Sequence, residues 1–96
     1  MSKVIAHEEL TVDYAVVVLT PSVYNPAVGP SASFAKIQAE DGPMRYCVDG
    51  QDPSPSFGDL LEDGDIVELP SIYHIKTFKV IRSGSLLGKI TITYED

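Results

Sequence analysis

The side chains able to do chemistry in this 96-residue chain are few and far apart. His7 and His74 are its two histidines, and Cys47 is its one cysteine. Zinc is held by three or four His, Cys or carboxylate ligands at characteristic spacings, and none of these three residues has a ligand-spaced companion. Residues 49–52 (Asp-Gly-Gln-Asp) and 62–65 (Glu-Asp-Gly-Asp) are acidic turns, and hard cations favour clustered carboxylates. Neither has the alternating ligand positions of an EF-hand loop, and Asp-Gly is also ordinary turn chemistry, so calcium is the weaker of the two metal exclusions. No serine stands in a Gly-x-Ser-x-Gly elbow. His74, beside Tyr73, can find a carboxylate only through the fold, and a histidine in such a connection is more often structural. Paired carboxylates for sugar hydrolysis need a deep cleft, which so short a chain with so many strands rarely makes. The glycines punctuate turns and form no phosphate-binding loop. Tyr14, Tyr24, Tyr46, Tyr73 and Tyr94 are either a stacking platform for a sugar or peptide, or ordinary sheet and interface residues. The lack of tryptophan weakens the sugar reading. No catalytic residue, cofactor site or metal site is assigned, and the chain is expected not to be an enzyme.

Length and charge narrow the classes further. Ninety-six residues suffice for one compact domain. A domain of this size buries roughly two-thirds of the surface its unfolded chain exposes, so association with other subunits would add stability. Fourteen acidic residues against seven basic ones give a net charge of -7. The basic residues are scattered, with only Lys76, Lys79 and Arg82 near one another. Such a chain repels phosphate backbones and anionic lipid surfaces, so neither a nucleic-acid nor a membrane partner is expected. One cysteine allows no intramolecular disulfide, and Cys47, inside an apolar run, reads as a small buried hydrophobe. The first residues lack a basic start followed by a long apolar stretch, and residues 15–19 fall far short of the roughly 20 a membrane span needs. The chain is expected to be made in a cytoplasm and to be soluble there.

Short β-elements must position these side chains. Residues 1–10 are a short first strand (3–5) or a flexible arm. Residues 11–20, rich in β-branched side chains, read as a strand whose second half is apolar on both faces. Residues 21–30 hold three prolines and read as a loop. Residues 31–39 follow as a strand, with Ala35, Ile37 and Ala39 on one face and Phe34, Lys36 and Gln38 on the other. Residues 40–43 turn the chain into a strand over 44–48, with Met44, Tyr46 and Val48 inward and Arg45 and Cys47 opposite. These two strands are expected to pair as a hairpin. Residues 49–56 are a loop, 57–61 a helical turn or an edge strand, 62–65 a tight turn, 66–69 a strand and 71–74 a short connection. Residues 75–81 and 87–94 are expected to close the chain as a hairpin with Ser83-Gly84-Ser85 near its tip. Ile90, Ile92 and Tyr94 share one face of the last strand, Thr91 and Thr93 the other. Six to eight short strands, turns about every eight to twelve residues and no convincing helix give an all-β fold, a single small antiparallel β-sandwich or barrel. The organisation read is one domain: residues 1–20 as N-terminal arm and first strands, 21–30 as a proline-rich loop, 31–96 as the core.

A set of turn and strand residues also carries a family resemblance. They are residues 35–41 (Ala-Lys-Ile-Gln-Ala-Glu-Asp), 44–46 (Met-Arg-Tyr), 49–50 (Asp-Gly) and 53–58 (Pro-Ser-Pro-Ser-Phe-Gly). Leu61, residues 64–65 (Gly-Asp) and 82–84 (Arg-Ser-Gly), ahead of the alternating last strand, complete the set. Over roughly residues 32–94 the chain resembles small tailed-phage and prophage virion proteins. The resemblance implies an all-β subunit that works by packing between or upon other virion subunits. Its implied role is capsid decoration (cement), bound to the major capsid protein on the virion surface. Since decoration proteins commonly occupy threefold positions, it also implies a homotrimer. A head-fibre, neck or tail component is the alternative within the virion, a small glycan-binding β-module the alternative outside it, and a hydrolase a distant third. Residues 1–10 and 21–30 lie outside the resemblance. They are the expected place for contacts peculiar to one virion, including a strand added to a partner's sheet.

Overall fold

The computed structural model describes residues 3–96; Met1 and Ser2 lie outside the described residues, so the expectation of an arm is answered from Lys3 onward. The elements are β1 (Val4–Val12), β2 (Val17–Val18), α1 (Pro21–Tyr24), β3 (Phe34–Asp41), β4 (Met44–Cys47), β5 (Asp59–Leu61), β6 (Ile66–Leu69), α2 (Ile72–Thr77), β7 (Lys79–Arg82) and β8 (Gly88–Glu95). They form two four-stranded antiparallel sheets. A long sheet runs β1-β8-β3-β6 and a short sheet runs β2-β7-β4-β5. The result is a sandwich rather than a closed barrel.

The centre of the long sheet follows from sequence alternation. Ala35, Ile37 and Ala39 of β3 stand directly opposite Tyr94, Ile92 and Ile90 of β8, and all six are fully buried. Two of these pairs set alanine against a large partner, which lets the layer fill without voids. Lys36 and Gln38, opposite Thr93 and Thr91, face away from the core. The short sheet and its approach contribute Met44, Leu61, Phe78 and Val80 to the same core, with the Tyr46 ring stacked 5.5 Å from Phe78.

Neither expected hairpin forms. Residues 35–39 and 44–48 do not pair: β3 lies between β8 and β6, whereas β4 lies between β7 and β5 in the other sheet. Asp41 and Gly42 both take left-handed conformations (φ 61° and 101°), the Gly42-Pro43 bond is cis, and the chain crosses between the layers. Residues 83–87 cross back in the same way, from β7 in the short sheet to β8 in the long one. The two crossings lie against each other. A Cβ on Gly84 would stand 2.6 Å from Pro43 Cδ, and one on Gly88 would overlap Met44 Sδ. Alternation tells which face of a strand is buried and is silent on its neighbour, which is why tight turns there read as hairpins.

Other boundaries move for local reasons. The β-branched run over 11–20 is two strands in different sheets, divided by a bend at Tyr14 and Ala15 that follows Asp13. Arg82 holds that bend: its amide donates to the Asp13 carbonyl (2.9 Å), its guanidinium to Asp13 Oδ1 (3.0 Å), and it lies 4.5 Å from the centre of the Tyr14 ring. Of the residues read as short strand or arm, 4–10 are part of the longest strand among the described residues. The proline-rich loop begins with one helical turn, α1, because Pro21 at its first position lacks only an N–H that would go unpaired there. The strand expected over 75–81 is divided. Its first residues belong to α2, whose start is capped by Ser71 Oγ accepting from the His74 amide (3.3 Å), and β7 begins only at Lys79. Of the ambiguous residues 57–61, the last three form the edge strand β5. No helix among the described residues is long and apolar enough to cross a membrane.

Candidate functional site

Most of the chemically capable side chains are engaged in holding the fold. The Ser71 hydroxyl lies 2.7 Å from His74 Nδ1 while also accepting the His74 amide, so this serine–histidine contact is a helix cap. His7, on the outer face of β1, lies 3.3 Å from Thr93 Oγ1, its cross-strand partner. The Asp49 carboxylate accepts from the Gln51 amide (3.1 Å) and from Gln51 Nε2 (2.6 Å), and these bonds pull its pKa below the usual range. Asp52 pairs with Lys79 at 2.8 Å. In the second acidic turn, Asp65 Oδ2 accepts from the Glu62 amide (2.8 Å) and Asp63 Oδ1 from the Asp41 amide (2.9 Å). No group of three or more His, Cys, Asp or Glu among the described residues is arranged to hold a metal ion. The tyrosines are dispersed. Tyr24 and Tyr94 share the core, Tyr46 stacks on Phe78, Tyr14 lies on Arg82, and Tyr73 is exposed on α2.

Cys47 is buried for a reason its strand does not supply. Register puts Cys47 and Lys79, and Arg45 and Ile81, on the outer face of the short sheet. Cys47 (9% exposed) and Ile81 (6%) are nevertheless buried, and neither belongs to the central core cluster. The segment 48–58 roofs this face. It is tethered by Asp52 to Lys79, by Ser83 Oγ donating to the Pro55 carbonyl (2.6 Å), by Arg45 Nη1 donating to the Gly58 carbonyl (3.0 Å), and by Thr77 Oγ1 donating to the Val48 carbonyl (2.6 Å). Pro53, within the roof, is buried. Gly58 closes it: at φ 121°, a Cβ there would stand 2.9 Å from the Tyr46 carbonyl oxygen. Burial, with the nearby carboxylates of Asp49, Asp59 and Asp52, pushes the Cys47 thiol up, which makes it a poor nucleophile.

Glu8 is the residue that the sequence reading passed over. It stands on β1 opposite Ile92, on the inward face shared with Ala6, Leu10 and Val12. Its carboxylate accepts from the Tyr94 hydroxyl (2.6 Å), from Thr20 Oγ1 and from the Thr20 amide (3.3 Å). The Tyr94 phenol is held far above its ordinary range, first by burial and then by the bond to Glu8 and its charge. Tyr24, 5.9 Å away, is raised by burial and by the same carboxylate. Tyr94 therefore stays a neutral donor, and together with Thr20 it satisfies a carboxylate that points inward from β1. The signal lay in the alternation Ala6, Glu8, Leu10, Val12, which puts a carboxylate in an otherwise apolar register.

A concavity at one end of the sandwich combines exposed apolar side chains with carboxylates. At the end of the sandwich where β3 crosses to β4, a depression of about 450 Å³ has a floor of Pro43, Leu60 and Leu86 and a rim of Asp41, Glu62 and Asp63. Leu60 is 45% and Leu86 59% exposed. The rim carboxylates make no ion pair within 4.0 Å with any described cation; Lys89, the neighbouring ammonium, lies 3.4 Å from Glu40 and 3.8 Å from Glu9. The arrangement offers apolar contact beneath a negative potential. No known protein family, curated protein or solved structure matches the chain.

Proposed function

We propose that this chain is a structural subunit of a tailed-phage virion, a capsid decoration protein that binds the major capsid protein on the outside of the shell, bridges neighbouring subunits and has no chemistry of its own. The observation that carries the reading is the edge of the long sheet. β1 is nine residues long and, among the described strands, pairs with β8 alone, which leaves its other edge available to a strand from another chain. The residues behind the resemblance support it by the work they do. Arg82 holds the bend that follows Asp13, Gly84 packs on Pro43 and Gly58 seats the roof, so the shared pattern describes a self-sufficient sandwich whose surfaces are left for partners. A homotrimer at threefold positions would multiply modest contacts across a lattice.

The test is to mix the purified chain with expanded capsids that lack it, sediment the particles and image them by cryo-electron microscopy. Density at local threefold axes is expected, with β1 facing a capsid subunit. Density at a single vertex or along the tail would move the assignment to a head-fibre, neck or tail component. Failure to sediment with any particle form would end the virion reading.

A further inference from the structure

The depression at the crossing end supports an inference that stands whether or not the chain belongs to a virion. We propose that it docks a partner segment carrying a lysine or arginine beside a large aliphatic or aromatic side chain. Its lining presents Leu60 and Leu86 to solvent together with Pro43, and about 450 Å³ accommodates one or two side chains. Burying such apolar surface is the general driving force for docking. The rim supplies selectivity. Among the described residues Asp41, Glu62 and Asp63 make no ion pair within 4.0 Å, and Lys89, whose charge also feels Asp41, is paired with Glu9 and Glu40. A Lys or Arg stem can lie on the leucines while its charged head reaches the rim, and an acidic segment would be repelled.

The walls are set before any partner arrives. Asp63 holds the Asp41 amide at 2.9 Å, and the Ser83 and Gly84 amides donate to the Pro43 carbonyl at 2.9 and 3.2 Å. Such preorganisation lowers the ordering cost of binding. A second copy of this chain is the poorer occupant, because each copy carries a net charge of -7 and would bring like charge to an acidic rim.

Titration of the ¹⁵N-labelled full chain with synthetic peptides, followed by amide shifts, tests this. The probes are Gly-Leu-Lys-Phe-Gly, the same peptide with Glu for Lys, and the same peptide with Ser for both apolar residues. The Lys peptide is expected to shift the amides of residues 41, 42, 60–63 and 84–88. Both altered peptides are expected to bind roughly tenfold more weakly, and binding should weaken further between about 50 mM and about 500 mM salt. Glu62→Lys and Leu86→Ser, at exposed side chains, should each abolish the shifts while the rest of the spectrum is retained. Absence of shifts with the Lys peptide, equal binding of the Glu peptide, or shifts centred elsewhere would overturn the proposal. So would concentration-dependent shifts of the same residues without peptide, which would make a second copy the occupant.

Discussion

In the long sheet, β1, β8 and β3 have nine, eight and eight residues, and their outward rows are polar: His7 with Thr93 and Lys36, Glu9 with Thr91 and Gln38, Thr11 with Lys89 and Glu40. In the short sheet no strand exceeds four residues, and the outward side chains include Ile81 and Cys47 under the roof of residues 48–58. The first sheet is ordered by long ladders and leaves its outer face wet. The second has few ladder bonds, so it takes burial on both faces, with irregular chain as its second cover. Ladder length and covering by a loop thus substitute for one another within one small sandwich.

Paired truncations should separate the two cases most strongly. Ile37→Ala, at the fully buried centre of the long sheet, is expected to cost about 4 kcal/mol, and Ile81→Ala, beneath the roof alone, about 2 kcal/mol, because a loop collapses into a cavity more readily than two packed sheets do. Urea unfolding measures both; equal losses would mean that the roof is as rigid as the core.

Gly58→Ala strains a left-handed backbone and drives a Cβ towards the Tyr46 carbonyl, so a loss of about 3 kcal/mol is expected. The roof should lift as well, and labelling of Cys47 by a thiol reagent should become much faster. Stability loss without faster labelling would show that something other than residues 48–58 buries the thiol.

Tyr94→Phe belongs to the long sheet's inner face. It takes one donor from the Glu8 carboxylate and is expected to cost about 2 kcal/mol, read from the shift in the urea midpoint. Glu8→Gln in the same background should restore part of the loss, since a neutral amide needs the donor less.

Smaller effects are expected on the surface pairs. Asp52→Ala should leave the unfolding midpoint nearly unchanged yet speed Cys47 labelling a few-fold, because the pair to Lys79 pins the roof rather than the core. Lys89→Ala, on the wet face, should change neither readout, because its pairs with Glu9 and Glu40 are solvent-screened. A measurable loss there would mean that the long sheet also leans on its outer face.

Much of the fold was legible from residue order because face selection is local. The alternations Ala35, Ile37, Ala39 and Ile90, Ile92, Tyr94 need only the two-residue repeat of a strand, and the prolines and Asp-Gly pairs mark ends wherever the strands lie. Those features by themselves determined an all-β chain with its principal inward residues. Tertiary structure alone decided the rest: that 41–43 and 83–87 are crossings and not hairpin tips, that Glu8 meets Tyr94 and Thr20, and that Cys47 lies under a roof. It also gathered Pro43, Leu60 and Leu86 beneath three carboxylates. The reason is physical. A strand's neighbour is chosen by the summed packing of both sheets, over contacts between residues as distant as Glu8 and Tyr94, and no local repeat encodes that sum.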